Sequence, residues 1–195
     1  MNNLIELNNI SKNYSPSKKI EVLKNINFLF MPGKIYSLIG PSGSGKSTLL
    51  NLISLIDKPS SGFIKLNNIK INDNDNDQRD IIRSKKIGII YQDKNLLSDF
   101  TALENVYMAR LSLNNNKKKA VLDAKNVLKK VGLEKRLNHF PTELSGGEAQ
   151  RVAISRALIN SPDIILADEP TGNLDHKNAK EIFKLLFSLK NKNRI

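Results

Sequence analysis

The apolar positions follow a period near two early in the chain and a period near three and a half later. Residues 4–14 (LIELNNISKNY) and 21–30 (EVLKNINFLF) mix alternation with β-favouring residues, which predicts antiparallel strands. Residues 35–39 (IYSLI) predict a short apolar strand running into a glycine-rich loop, and residues 46–56 (KSTLLNLISLI) have helical spacing. A strand pair is expected at 63–71, and the polar run NDNDNDQRD after it reads as an exposed loop. Residues 87–91 (IGIIY) predict another strand, ending at Gln92. Thr101 and Glu104 have the spacing of a capping box and open a helix to about residue 111, and residues 116–131 form a second, amphipathic one. Together these make a helical insert, which Pro141 and the Gly146-Gly147 pair end before helix resumes at 149–159. Residues 164–167 (IILA) are a continuous apolar run, as in a parallel strand covered on both faces, and 175–190 is a last amphipathic helix. Strands alternating with helices around a glycine loop predict an α/β fold with a mainly parallel core sheet.

Composition narrows this little. The 195 residues suit one domain, 39% of them are hydrophobic, and no run approaches the ~18 apolar residues of a spanning helix. The polar start lacks a signal-peptide profile, and the absence of cysteine excludes thiolate metal sites and disulfides; both fit the cytosol. The net charge of +12 comes from lysines scattered through an Asn- and Ile-rich chain, without the Arg-aromatic clusters of an RNA-binding surface. Lys117 to Lys119 and the tail KNKNR are expected to be solvated, and no nucleic-acid partner is expected. Asp73, Asp75 and Asp77 imitate the start of a calcium loop, but its required glycine is Gln78 and its glutamate is Ser84, so the match fails.

The chemistry concentrates in three stretches. Gly40-Pro41-Ser42-Gly43-Ser44-Gly45-Lys46-Ser47-Thr48 contains G-x-x-x-x-G-K-[ST] in a predicted strand–loop–helix context. The glycines let backbone N–H groups turn toward phosphates, Lys46 reaches the β- and γ-phosphates, and the Ser47 hydroxyl ligates Mg²⁺. Asp168-Glu169 ends the apolar run at 164–167; Asp168 would hold the ion and Glu169 would polarise an attacking water. Finally, Ser145-Gly146-Gly147-Glu148 has S-x-x-E spacing, so Ser145 can cap a helix whose first N–H groups face outward, although an ordinary helix start reads the same.

The set GPSGSGKST, Tyr91-Gln92, LSGGEAQR, IILADEP and TGNLD resembles, in order and over essentially the whole chain, the ATP-binding cassette (ABC) ATPases. The resemblance implies a phosphate-loop ATPase domain over residues 1–195, with an N-terminal antiparallel β subdomain and a helical subdomain at about 95–160. It implies ATP and Mg²⁺ as cofactors, hydrolysis of ATP, and head-to-tail dimerisation with a second such domain. In that dimer Ser145, Gly146 and Gly147 would contact the nucleotide held by the partner's phosphate loop. Tyr14 would stack on adenine, Gln92 would sense the γ-phosphate and magnesium, and Asp175 would lie at the dimer interface. The stretches NLLSDFTALENVYMARL and NHFPTELSGGE are similar to the ATPase subunits of lipoprotein-releasing (Lol) transporters. That likeness implies membrane permease partners and a place on the cytoplasmic face of the bacterial inner membrane. Macrolide-exporter and cell-division ATPases have related motifs.

Three departures stand out. Asp93-Lys94-Asn95 is more polar than the Lol pattern, and Ala149 replaces a usually polar residue. The family also has a further buried strand and a switch histidine after the last helix, and neither His139 nor His176 occupies that position. The expectation is therefore an ATPase whose turnover is impaired if that element is missing. Soluble cassette ATPases acting on DNA or ribosomes are a separate class, marked by a coiled-coil insertion or a second cassette, and this sequence has neither.

Overall fold

The first alternating segment forms β1 (Ile5–Asn13), which pairs antiparallel with β2 (Glu21–Phe30) on one side and β3 (Ser61–Leu66) on the other. A short β4 (Ile69–Lys70) completes the order β2-β1-β3-β4. Asn67 and Asn68, at φ 48° and 65°, make the two-residue turn between β3 and β4, where both central residues must be left-handed to match the strand twist. The computed structural model describes residues 4–14, 21–113 and 115–189, so the expected solvated tail at 190–194 lies outside the described residues. Its contacts divide into two compact units, one covering Met1–Arg83 and the other Ser84–Leu189.

In the first unit Ile5, Leu7, Ile10, Leu52, Leu55, Ile64 and Ile71 are buried. Helix α1 (Lys46–Ile53) is shorter than its apolar spacing predicts, because the backbone turns left-handed at Leu55 (φ 61°). The polar run at 72–80 is only partly a loop: α2 (Asn76–Lys86) begins inside it. Asp75 starts this helix by accepting from the Gln78 amide at 2.8 Å, and Arg79, 2% exposed, anchors it through Leu55 O, Asp57 O and Asp73. Buried polar contacts, rather than an apolar stripe, decide this helix, so periodicity passes over it.

Residues 35–39 are not a strand. Ile35, Leu38 and Ile39 are exposed, Ile39 to 88%, and Tyr36 instead packs edge-on against Phe28 and Phe30 while its hydroxyl accepts from the Met31 amide. An apolar segment becomes a strand only where another strand supplies partners for its N–H and C=O groups. None among the described residues does so here.

In the second unit β5 (Ile87–Ile90) and β6 (Ile164–Ala167) run parallel, with Ile87 opposite Ile164 and Ile90 opposite Ala167. The antiparallel N-terminal sheet, the helices and this parallel ladder are the parts of the expected α/β fold. Ile164 is buried, while the rest of β6 is half-buried rather than covered on both faces. Helices α3 (Ala102–Leu111), α4 (Lys117–Lys130) and α5 (Gly146–Leu158) pack around Val106, Ala124, Leu128 and Val152, forming the helical insert. Thr101 caps α3 through the predicted capping box with Glu104, and Asn116 caps α4. Ile90, Ile154 and Ile182 join β5, α5 and α6 (His176–Ser188) in a second cluster. Among the described residues no helix is long and apolar enough to cross a membrane.

Candidate active site

In the first unit, Gly40 to Thr48 wrap into the start of α1. Gly43 and Gly45 take φ 79° and 90°, a region glycine enters at little strain, and Gly45 caps α1 without any side chain. The helix therefore opens with bare N–H groups and no acid in its first turn, an arrangement that attracts phosphate. A Cβ on Gly40 would lie 2.8 Å from Ser44 Oγ, so a larger residue there would turn the Ser44 hydroxyl aside. Lys46 folds over the loop and donates to the carbonyls of Gly40 and Pro41, both at 2.9 Å, which places its ammonium on the side the loop encloses. Pro41, Ser42 and Ser47 are exposed, while Lys46 and Thr48 are half-buried.

Tyr14 follows β1 and is 49% exposed, with its hydroxyl donating to Asp57 at 3.1 Å. Neither Asp57 nor Lys12, which also binds Asp57, carried any signal in the sequence.

In the second unit, the β5–β6 pairing sets the acids. The Asp168 amide donates to Ile90 O at 3.0 Å and extends the ladder, leaving Asp168 half-buried and Glu169 exposed. Glu169 is left-handed (φ 43°), a strain of about 1–3 kcal/mol that this chain maintains at an acid. A Cβ on Gly172 would meet Gln92 Nε2 at 3.0 Å and Glu169 Oε2 at 3.4 Å. The Gln92 amide and the Glu169 carboxylate thus border one spot, although they are far apart in sequence. Arg156 holds the loop after Gln92 by donating to Lys94 O and Asn95 O at 2.7 and 2.6 Å; burial pulls its guanidinium below the ordinary value.

Ser145 caps α5 as its spacing predicts: its hydroxyl accepts from the Glu148 amide, and the Ser145 amide donates to Glu148 at 2.9 Å. An accepting hydroxyl keeps its own proton for donation. Arg136 binds Glu148 at 2.8 Å and, with the Ser145 bonds, holds its carboxyl down at about 2. Gly146 is exposed and Gly147 buried, and the reason is Asn178: a Cβ at 147 would sit 2.5 Å from its side-chain oxygen. Asn178 also donates to Asp175, the N-cap of α6, whose carboxyl its bonds hold below the usual range. The predicted interface aspartate and the LSGG turn are therefore in contact through a residue that sequence reasoning missed. His139 lies beside Arg136, and His176 opens α6.

The oxygen donors predicted for magnesium are the Ser47 hydroxyl, the Gln92 carbonyl and the Asp168 carboxylate. Among the described residues no three acids or histidines gather into a protein cage. Ser47 stands in the first unit and Gln92 and Asp168 in the second; each offers the kind of hard oxygen that magnesium takes beside waters and substrate phosphates.

Residues 23–172 match the ABC transporter family profile. The lipoprotein-releasing system ATP-binding proteins LolD of Rickettsia bellii and Rickettsia felis are 48% and 49% identical to the chain over 189 residues, 96% of this chain and 83% of each relative. Among solved structures, the dimeric post-hydrolysis state of the ATP-binding cassette MJ0796 bound to ADP and Pi superposes with a TM-score of 0.88 at 43% identity, covering 97% of this chain and 85% of that one. The cassette cbiO1 from Clostridium perfringens, part of the cbiONQ transporter complex, gives 0.85 at 30% identity, covering 99% and 76%. A phosphate loop with a bare helix start, an acid pair closing a parallel strand and a capped LSGG turn agree with this match: the chain belongs to the ABC transporter family, as an ATP-binding and ATP-hydrolysing cassette.

Proposed function

We propose that this cassette drives the release of lipoproteins from the bacterial inner membrane, working at its cytoplasmic face as a dimer bound to permease subunits. The substrate class rests on the near-half identity to LolD proteins over nearly the whole chain. Gly40 to Thr48 hold the triphosphate, with Lys46 leaving its carbonyl partners for the β- and γ-oxygens, and Tyr14 stacks on the adenine. Magnesium, held by Ser47, Gln92 and Asp168, would neutralise charge on the phosphates. Glu169 orients a water and accepts its proton as the water oxygen bonds to the γ-phosphorus and the bond to the β-phosphate oxygen breaks, giving ADP and phosphate. Ser145, Gly146 and Gly147 donate to the γ-phosphate on the second cassette.

The convergence of Gln92 and Glu169 at Gly172 is the observation that carries the catalytic assignment. In the complex reconstituted with its permease, Glu169→Gln should reduce turnover at least about 100-fold while ATP still drives dimerisation. Unchanged turnover would remove Glu169 from its role. ATP-dependent transfer of an acylated lipoprotein from proteoliposomes to a soluble acceptor tests the substrate class; transfer of a macrolide with no lipoprotein release would overturn it.

A further inference from the structure

The ring of Tyr14 is held on two sides by charged groups that have no part in the reaction described above. Lys12 Nζ lies 4.9 Å from the ring centroid, and the Tyr14 hydroxyl donates to Asp57 Oδ2 at 3.1 Å. Lys12 in turn donates to Asp57 Oδ1 at 2.7 Å and to Lys58 O at 2.8 Å. Asp57 also accepts from the Lys58 amide at 2.7 Å. Burial pushes the Asp57 carboxyl up, but the bonds from Lys12, the Lys58 amide and Tyr14 outweigh it and hold the group below its usual range.

The segment carrying Asp57 is itself fixed. It follows the C-terminus of α1, where Arg79 donates to Leu55 O and Asp57 O at 3.0 and 2.6 Å, and Arg83 donates to Leu55 O at 3.2 Å. A half-open tyrosine at the end of a strand has little packing to choose its rotamer. Here the hydroxyl, one ring face and the loop beneath are each tied to a fixed group, while about half of the side chain stays open. Ordering a ring before its ligand arrives removes an entropy loss from binding. A cation against one face also draws electron density from the ring, which favours stacking with an electron-rich purine.

We propose that Lys12 and Asp57 are nucleobase-positioning residues, which preset Tyr14 as the platform for the purine of the bound nucleotide. The proposal rests on the reading that Tyr14 stacks on adenine.

The test uses the full chain and two probes in titration calorimetry: ADP, and inorganic tripolyphosphate, which occupies the phosphate loop without a base. Tyr14→Ala should weaken ADP about 5- to 100-fold, and Lys12→Met and Asp57→Asn about 2- to 10-fold each. Tyr14→Phe, which keeps the ring but loses the bond to Asp57, should lose about 2-fold. None should change tripolyphosphate affinity, and Lys12→Met should add nothing in a Tyr14→Ala background. If Tyr14→Ala leaves ADP binding intact, the stacking reading fails and the inference with it. If Tyr14→Ala weakens ADP while Lys12→Met and Asp57→Asn do not, the inference alone fails. Equal losses for ADP and tripolyphosphate in those two variants would also overturn it, since they would mark damage to α1. Should Asp57→Asn not fold, Lys12→Met and Tyr14→Phe decide the matter.

Discussion

The phosphate loop and the LSGG turn each open a helix, and they prepare that opening by opposite means. Helix α1 starts at a left-handed glycine with no side-chain cap and no acid in its first turn, so its N–H groups are open to an anion. Helix α5 starts with a complete capping box, and a carboxylate held at about 2 lies in its first turn. The first end is built to grip phosphate alone. The second has spent one of its donors on the Ser145 hydroxyl, and the carboxylate in its first turn is paired with Arg136. On the reading proposed above, the first end holds this chain's own nucleotide and the second meets one held by another cassette.

Replacing Lys46 by methionine should break the first site most. ATP affinity of the isolated chain should fall about 10- to 100-fold, as expected for a lost charge-assisted contact, measured by calorimetry. Ser145→Arg should do the reverse, keeping single-chain ATP affinity within about 2-fold while abolishing ATP-driven dimers in light scattering. If Ser145→Arg weakened ATP binding as much as Lys46→Met, the division between the two ends would collapse.

A finer probe is Gly147→Ala, whose new methyl must displace the Asn178 side chain. It should destabilise the chain by about 1–3 kcal/mol in urea unfolding, and Asn178→Ser should recover much of that loss. The smallest effect concerns pH. Because the folded carboxyl of Glu148 titrates near 2, below its ordinary 4.5, its contribution is complete above about 4.5 and fades as pH falls toward 2. The ion pair is partly exposed, so wild type and Glu148→Gln should differ by less than about 1 kcal/mol at pH 6, and the gap should narrow as pH falls to 2.

What was legible in the sequence was local. Thr101 with Glu104 and Ser145 with Glu148 are three residues apart, and each pair forms the cap its spacing implies. Strands β1 and β2, which pair with each other, follow from alternation mixed with β-favouring residues. Long-range conditions were hidden. The apolar run at 35–39 has the composition of a strand but no ladder beside it, and β6 is likewise less covered than its residues suggest. Helix α2 was invisible because its apolar residues are few, and its own buried Arg79 anchors it to a loop more than 20 residues away. The Lys12–Asp57 pair spans 45 positions, beyond any local pattern. Within the candidate site, the family resemblance pointed to Gln92 and the end of the apolar run to Glu169, but only the fold shows that they border the same glycine.

The contact between Gly147 and Asn178 has a consequence for how such chains can diverge. A methyl group at 147 must push the Asn178 side chain aside, so a larger residue at 147 is better tolerated once 178 has shrunk. Because Asn178 also ties to the α6 cap, that exchange would loosen Asp175 as well. The three sites should therefore change together across descendants of this sequence, as a linked character rather than as independent letters.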